Sequence, residues 1–211
     1  MLYRIKTILK KVVSAIQRRK YPHISKTTSI SRNVHVYCPE NLIMEEHTNI
    51  HSDSVIMNTR ARYIVKKWSG SAMGLLVVTG NHMQLVGKSV SQLTDKDKDE
   101  LDVNHELDRD VVVEEDVWIG SNVTLLAGAT IGRGAIVGAS CVVRSGKIPP
   151  YAVLSGNPAK IVGFRFTPEE IIKHEETLYP EDERLPLDLL EKNYEKYYLS
   201  RIKEIKSFLK L

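Results

Sequence analysis

An aliphatic residue recurs at every sixth position through much of the second half of this 211-residue chain. The repeat runs through Val113, Ile119, Leu125, Ile131, Val137 and Val143. An α-helix would need apolar residues spaced by three and four, and a hairpin sheet would need strict alternation along longer strands. Neither pattern fits. A second set, four positions after each of the first five, is small or β-branched: Val117, Val123, Ala129, Ala135 and Cys141.

Turn-forming residues follow the same period, three positions after each member of the first set. They are Asp116, Asn122, Gly128, Gly134, Ser140 and Gly146. These residue types tolerate tight turns, and Gly, Asn and Asp also tolerate positive φ. A short strand and a corner, repeated, predict a prism whose faces are parallel sheets around an aliphatic interior. The register is weaker near the start, where the prism is expected to begin: Ile30, Val36 and Leu42, then Ile50 and Ile56.

Composition limits the class of protein. With 42% hydrophobic and 27% charged residues, the chain is typical of a globular protein with one core. Cys38 and Cys141 cannot form a framework of several disulfides, and no apolar run is long enough to cross a bilayer, so we expect a cytoplasmic protein. Residues 1–20 include seven basic side chains and no acidic one. The remaining chain is mildly acidic, which argues against a nucleic-acid partner.

Three segments lie outside the predicted prism. Residues 1–22 are expected to form a basic amphipathic helix that docks on a partner protein or lies on an anionic membrane surface. Residues 83–110 break the repeat and predict a projecting loop, for which a solvated acidic excursion is one interpretation. Residues 167–211 predict a helical extension, with a capping box at Thr167 and one amphipathic helix from Leu187 onward. The prism itself is assigned to residues 23–166.

The stretch VWIGSNVTLLAGATIGRGAIVGASCVV, followed by IPPYAVLSGNPAKIVGFRF, resembles the hexapeptide acyltransferase family and most closely its xenobiotic and streptogramin acetyltransferase branch. The resemblance covers roughly residues 28–166 and is dense from 111 to 166. It implies a left-handed parallel β-helix, homotrimers with active sites between subunits, acetyl-CoA as co-substrate and no metal. It also offers a second interpretation of the loop over residues 83–110, as a segment that reaches a neighbouring subunit and covers the acceptor pocket.

His82 is the candidate general base. It lies in the segment Thr79-Gly80-Asn81-His82, where the prism gives way to the loop, and it matches the family's catalytic histidine. A neutral imidazole with a pKa near 6.5 suits proton abstraction at neutral pH. A structural role is the alternative for His82, and His105 in the loop is a weaker candidate. Asn58 and Asn81 are predicted either to bind the acceptor or to occupy corners.

The resemblance also implies a coenzyme groove lined by Trp118, Ser121 and Ala139, with Ser121 or nearby amides facing the thioester oxygen. Coenzyme A carries phosphates, for which Arg144 and Lys160 are the candidate cations. Each of these residues has a structural alternative: outward packing, an ordinary corner or a solvated charge. Cys141 is expected to point inward, so we predict direct acetyl transfer without an acyl-protein intermediate.

We therefore predict an acetyltransferase that moves an acetyl group from acetyl-CoA to a hydroxyl or amine of a small acceptor, with a sugar in surface-polysaccharide synthesis as the first choice. An antibiotic acceptor is an alternative, weakened because the tryptophan-rich segment of antibiotic-modifying relatives does not follow Arg165-Phe166. A zinc carbonic anhydrase of the same prism type would need three histidine ligands, and no histidine lies between His105 and His174. A non-enzymatic scaffold is the remaining alternative.

Overall fold

The computed structural model describes residue 16 and residues 19–210, which form a three-sided parallel β-solenoid followed by helices. Four α-helices occur within residues 21–210: α1 (Asp95–Leu101), α2 (Pro168–Leu178), α3 (Leu187–Tyr197) and α4 (Ile202–Leu209). The strands are β1 (His23–Ile24), β2 (Ser29–Ile30), β3 (His35–Val36), β4 (Leu42–Met44), β5 (Asn49–Ile50), β6 (Val55–Met57), β7 (Tyr63–Val65), β8 (Gly70–Ser71), β9 (Leu76–Val78), β10 (Val111–Val113), β11 (Trp118–Ile119), β12 (Thr124–Leu126), β13 (Ala129–Ile131), β14 (Ile136–Val137), β15 (Val142–Val143), β16 (Gly146–Ile148), β17 (Ala152–Ser155) and β18 (Lys160–Phe164).

Successive strands lie on three different faces. One face has the order β1-β4-β7-β10-β13-β16, the second β18-β17-β14-β11-β8-β5-β2, and the third β15-β12-β9-β6-β3. These are called the six-strand, seven-strand and five-strand faces. Strand β18 returns antiparallel to β17, whereas the other pairs in the described sheets are parallel. The predicted mainly-β prism is confirmed, and the architecture is consistent with a left-handed β-helix.

The six-residue repeat forms the interior and the corners as predicted. Every aliphatic, alanine and cysteine position of the two repeated sets between Val113 and Val143 is buried. All six predicted corner residues have positive φ, from 55° at Asp116 to 137° at Gly146. The regular spacing of corners also sets the vertical register, because Val113 pairs with Ile131, its counterpart one complete turn later. This part of the solenoid, residues 111–148, is called the regular half.

The solenoid from residue 23 to residue 79, called the irregular half, has longer turns. Ile24 pairs with Met44 and Met44 with Val65, so each of these turns contains more chain than the turn from Val113 to Ile131. Its interior keeps the aliphatic residues that the weaker repeat predicted, but it also buries polar side chains. Most of their hydroxyls and amides bond to backbone at the corners, which satisfies the extra residues of each turn. The buried polar side chains of the irregular half are those of Thr28, Thr48, Ser54, Asn58, Ser69, Ser71 and Thr79.

Residues 79–110 leave the solenoid after β9 and return to it at β10. Strand β10 pairs with β7 in the same parallel register as other turns, so the prism continues as though nothing had been inserted. The loop carries its own helix, α1, which begins at a capping box formed by Thr94 and Asp97. Hydrogen bonds from Lys88 and from Thr94 lower the pKa of the Asp97 carboxyl to about 2, so this cap is ionised at neutral pH.

The C-terminal extension is attached to the solenoid through a buried carboxylate. Helix α2 begins at the predicted capping box of Thr167 and Glu170 and buries Glu175. The Glu175 carboxylate accepts hydrogen bonds from the Tyr151 hydroxyl (3.0 Å) and the Leu185 amide (2.6 Å). Burial and the neighbouring carboxylate raise the pKa of Tyr151 above its ordinary value, so its hydroxyl remains a donor.

One prediction for this extension is wrong. A single helix from Leu187 onward was expected, but α3 ends at Tyr197 and a 3₁₀ turn, Leu199–Arg201, separates it from α4. The chain leaves helical geometry at Tyr198 (φ −126°, ψ −67°), and the Ser200 hydroxyl in the following turn donates to the Lys196 carbonyl at 2.9 Å. The apolar spacing of the sequence does not indicate this break between the two helices.

The predicted basic helix over residues 1–22 lies largely outside the described residues and stays a prediction. Within residue 16 and residues 19–210, no helix is long and apolar enough to cross a bilayer.

Candidate active site

A cleft of about 450 Å³ opens where the five-strand face meets the six-strand face. Its walls come from the ends of β6 and β9, from the start and end of the loop, and from the beginning of α1. Asn81 and His82 line the cleft at the start of the loop, and Thr94 and Lys98 line it from the region of α1. The loop therefore forms part of the cleft and does not simply extend into solvent.

His82 is exposed and follows a backbone segment that is held from two sides. The Thr79 hydroxyl donates to the Ala61 carbonyl at 3.1 Å inside the solenoid. The two ends of the loop then pair: the Asn81 amide donates to the Leu107 carbonyl and the Arg109 amide to the Thr79 carbonyl, both at 2.9 Å. Within the described chain, no side-chain hydrogen bond engages the His82 imidazole. Its ring nitrogens are thus available to a molecule in the cleft.

Gly80 makes this pairing possible. It forms an antiparallel bridge with Asp108, and a Cβ at Gly80 would lie 2.3 Å from an Asp108 carboxylate oxygen. Such a contact is shorter than any side chain could accept without displacing Asp108. The glycine before Asn81-His82 is therefore required by the close approach of the returning loop.

The charged side chains that line the cleft are paired with one another. The buried Asp108 carboxylate receives the Arg60 Nε at 2.9 Å and the Lys98 Nζ at 2.7 Å. Arg60 also pairs with Asp99, and Asp95 lies 3.8 Å from its guanidinium. The hydrogen bond to Asp99, with smaller effects from Asp108, raises the pKa of Arg60 despite the opposing cost of desolvation. Sequence reasoning did not single out Arg60, Lys98 or Asp108.

Two residues predicted to line the coenzyme groove lie elsewhere on the solenoid. Ser121 and Ala139 occupy adjacent corners between the seven-strand and five-strand faces, where the Ser140 amide donates to the Ser121 carbonyl at 2.8 Å. Gly120 packs against the backbone of Ala139 so closely that a Cβ would lie 2.7 Å from the Ala139 nitrogen. Ser121 and Ala139 are therefore brought together, but at a different edge from His82.

Trp118, the third predicted groove residue, projects from the seven-strand face with 51% of its surface exposed. It lines a second cavity of about 300 Å³ together with Trp68 and Arg165. The Arg165 guanidinium is paired there with the Asp116 carboxylate at 2.7 Å. Trp118 is thus neither packed in the protomer's core nor part of the cleft that holds His82.

The two predicted phosphate-binding cations differ in their surroundings. Arg144 is exposed at the corner between β15 and β16. Lys160 begins β18 and is partly engaged by α4, since its Nζ lies 4.0 Å from a Glu204 carboxylate oxygen and 5.3 Å from the Phe208 ring centre. Gly156, in the preceding corner, also approaches Phe208. The C-terminal helix α4 therefore covers part of the segment from Gly156 to Lys160, which contains one of the two candidate phosphate-binding cations.

The two predicted acceptor-binding asparagines have different environments. Asn81 is exposed and lines the cleft. Asn58 is fully buried, and its amide group accepts from the Cys38 amide at 3.0 Å and donates to the Cys38 carbonyl at 2.8 Å. The structure does not bring Asn58 to the cleft surface, because both ends of its side chain already hold an adjacent turn. His105 is exposed in the loop.

No group of three or more histidine, cysteine or acidic side chains arranged to hold a metal ion occurs within residue 16 and residues 19–210.

Comparison with known proteins relates this architecture to transferases. The bacterial transferase hexapeptide pattern (six repeats) matches residues 110–145, most of the regular half of the solenoid. No curated protein sequence matches the chain significantly.

Solved structures similar to this chain include a hexapeptide-repeat-containing acetyltransferase from Vibrio cholerae, 25% identical over 70% of this chain and 76% of that one, with a TM-score of 0.55. The same acetyltransferase complexed with acetyl coenzyme A is 25% identical over 71% of this chain and 74% of that one, with a TM-score of 0.56. A maltose O-acetyltransferase from Clostridium difficile 630 is 22% identical over 70% of this chain and 71% of that one, with a TM-score of 0.56. A mutant of the N-acyltransferase AntD from Bacillus cereus, in complex with dTDP and coenzyme A, shares the fold at 13% identity, 78% and 94% coverage and a TM-score of 0.58. The resemblance to hexapeptide-repeat acyltransferases is confirmed.

Proposed function

We propose that this chain, a hexapeptide-repeat protein of the acyl-CoA-dependent acyltransferase type, moves an acetyl group from acetyl-CoA to a hydroxyl of a small sugar acceptor with His82 as general base. The observation that carries the proposal is the position of His82. Its imidazole is unengaged at a cleft of about 450 Å³, on a segment that the two ends of the loop hold in place. A general base needs both properties, because it must reach the acceptor proton and remain oriented.

In the proposed reaction, a His82 ring nitrogen accepts the proton of the acceptor hydroxyl while the hydroxyl oxygen bonds to the thioester carbonyl carbon. The carbon–sulfur bond then breaks, and the leaving thiolate takes the proton from the imidazolium. Donors near Ser121 would stabilise the oxyanion. Transfer is direct, since Cys141 is fully buried and burial raises the pKa of its thiol, which disfavours a nucleophilic thiolate.

The surroundings of His82 favour an uncharged, hydroxyl-rich acceptor. Arg60, Asp95, Lys98 and Asp108, the charged residues lining the cleft, already pair with one another. An anionic acceptor would have to break one of these pairs to gain a cation, whereas a sugar can use their remaining donors and acceptors. The maltose O-acetyltransferase among the similar structures is a precedent for a sugar acceptor on this fold. We infer that this chain acts in surface-polysaccharide synthesis.

We propose a homotrimer whose active sites lie between subunits. His82 lies at the edge between the five-strand and six-strand faces, while Ser121 and Ala139 lie at another edge. A site that uses all of them would be completed by a neighbouring copy. Apolar side chains on the loop support the idea, because Val86 and Val103 are 102% and 72% exposed in the single chain. Sedimentation equilibrium measures the mass, and a monomer would contradict this assembly.

For the coenzyme, the proposed groove is lined by Trp118, Ser121 and Ala139, and the phosphates are bound by Arg144 or Lys160. Arg144 is the freer of the two cations, since α4 engages Lys160. Calorimetric titration with acetyl-CoA tests the groove in wild type and in Trp118→Ala. A scaffold without enzymatic function would show no heat of binding in either.

We also propose contact with the inner face of the membrane through residues 1–20, based on their seven basic side chains. Co-sedimentation with anionic vesicles at low and high salt is the test. Binding that high salt does not weaken, or that survives deletion of residues 1–20, would contradict it.

The central experiment is a screen of acceptors by thiol release from acetyl-CoA, with maltose, other neutral sugars, amino sugars and hydroxylated antibiotics. His82→Ala should lower kcat for the best acceptor by about 10²- to 10⁴-fold, the usual contribution of a general base. Its melting temperature should stay that of wild type, because the ring is exposed. His105→Ala, another exposed loop histidine, is the matched control. Equal activity of the two variants would refute His82 as the base.

A further inference from the structure

The backbone of Asn81, directly before His82, is held on both sides, and one of the holders comes from the loop helix. The Asn81 amide donates to the Leu107 carbonyl at 2.9 Å. The Asn81 carbonyl, on the other side of the residue, accepts a hydrogen bond from the Lys98 Nζ at 2.8 Å. Because a peptide unit is planar, fixing this carbonyl fixes the plane from which the His82 backbone departs.

Lys98 is itself fixed by burial and by a charge partner. Its side chain is 12% exposed, and its Nζ donates to the Asp108 carboxylate at 2.7 Å. The other Asp108 oxygen accepts from the Arg60 Nε at 2.9 Å, and Asp108 is 4% exposed at its side chain. An ammonium held this way has little freedom to leave the Asn81 carbonyl.

The strands of the solenoid cannot supply this restraint. Strand β9 ends at Val78, before the segment that carries Asn81, and β10 begins only at Val111. The orientation of His82 therefore depends on the returning loop and on α1, whose Lys98 donates to the backbone carbonyl directly before the base. Thr94 and Asp95, at the start of the same helix, line the cleft where an acceptor would lie.

We propose that Lys98 is a positioning residue for His82, with Asp108 and Arg60 holding it in place. The proposal rests on the proposed function, since it gives Lys98 the task of orienting the base. Lys98 contacts no reacting atom in this role. Acceptor binding against α1 and orientation of the base are coupled through one side chain, so displacement of α1 would also displace the base.

The test uses Lys98→Met in the full chain, which keeps most of the aliphatic stem and removes the ammonium. Lys96→Met is the matched control, because Lys96 lies on the same helix with 84% of its side chain exposed. For each variant, kcat, the KM for acetyl-CoA, the melting temperature and hydrogen–deuterium exchange of residues 79–83 are measured. Misplacement of a catalytic group by about 1 Å can lower a rate by about 10²-fold.

We expect Lys98→Met to lower kcat by about 10- to 100-fold, with the KM for acetyl-CoA close to wild type and faster exchange at Asn81 and His82. The melting temperature should fall, because the buried Asp108 carboxylate loses one of its two cations. Lys98→Arg, which keeps a charged donor, should recover part of the loss. A kcat equal to that of Lys96→Met would overturn the proposal, as would a loss of kcat with unchanged exchange over residues 79–83. If Lys98→Met melts well below wild type, the same criteria apply to Lys98→Gln, whose shorter side chain stays polar but cannot span to Asn81.

The design separates the two proposals. Turnover that survives His82→Ala would refute the base, and with it the premise for Lys98. Turnover that depends on His82 but is unaffected in Lys98→Met would refute the positioning role alone.

Discussion

The regular and irregular halves of the solenoid reach the same three-sided cross-section by different means. Between residues 111 and 148 the interior is aliphatic, and Val113 reaches its counterpart Ile131 in one short turn. Between residues 23 and 79 the turns are longer, and seven serine, threonine and asparagine side chains are buried. The interior of the regular half is stabilised by hydrophobic burial, whereas the interior of the irregular half also depends on buried polar side chains that bond to the backbone.

The longer turns and the long loop both occur on the N-terminal side of the regular half. Between residues 111 and 143 the six-residue repeat runs from strand to strand without an insertion. The irregular half contains extra residues at its corners, and the cleft with His82 opens at its end. Three substitutions test the contrast.

The largest effect is expected in the regular half. Leu125→Ala removes a fully buried side chain from β12, and we expect a loss of about 2–5 kcal/mol in the free energy of unfolding, from lost burial and the cavity left behind. Urea denaturation followed by circular dichroism measures it. Leu126→Ala, the next residue on the outward side of the same strand, is the control and should cost less. Equal losses would mean that the aliphatic interior does not dominate this half.

A smaller loss is expected when a buried amide is removed from the irregular half. Asn58→Ala leaves the amide and carbonyl of Cys38 without the partners they have at 3.0 and 2.8 Å. Unsatisfied groups of this kind cost about 1–3 kcal/mol. The same denaturation experiment applies, with Asn104→Ala in the exposed loop as a control expected within about 0.5 kcal/mol of wild type. If the two variants have the same free energy of unfolding, the hydrogen bonds of Asn58 to Cys38 do not stabilise the fold as described above.

The smallest effect should be a gain. Ser71 pairs with Ile119 in an otherwise aliphatic column, and its buried hydroxyl has no hydrogen-bond partner in the described part of the chain. Ser71→Ala should therefore raise the free energy of unfolding by about 1 kcal/mol, since an unpaired buried hydroxyl is removed.

Ser69→Ala is the matched control for that gain and should have the opposite sign. The Ser69 hydroxyl donates to the Glu114 carbonyl at 2.5 Å and accepts from the Val117 amide at 2.9 Å. Destabilisation by both variants would show that Ser71 is bonded after all.

Much of the fold could be predicted because the signal is local and repeated. The same spacing separates Val113 from Ile119 and Ile119 from Leu125, and the corner residues between them have the positive φ that their types allow. In the irregular half the period fails at buried positions such as Ser54 and Ser69, whose polarity a sequence pattern assigns to the surface. Their hydrogen bonds to backbone at neighbouring corners explain the burial but leave no periodic trace.

The candidate site could be predicted only where a short motif marks it. His82 is indicated by the glycine and asparagine before it and by the end of the repeat after it. Arg60 and Asp108 lie far apart in sequence, so no local spacing connects them. The capping box of Thr94 and Asp97 could have revealed α1, and with it the chance that Lys98 faces inward. Asn58 was predicted to bind the acceptor or to occupy a corner from its residue type alone. Residue type does not distinguish these roles from that of a buried asparagine that bonds to the backbone of an adjacent turn.

Because β10 adds to β7 as though residues 79–110 were absent, the column is indifferent to the length of chain inserted at that point. The two ends of the insertion are joined by the hydrogen bond from the Arg109 amide to the Thr79 carbonyl, and most residues that line the cleft lie between them. Under the proposed function, exchange of this one segment would change acceptor preference on an unchanged support, because the turns above and below need no adjustment.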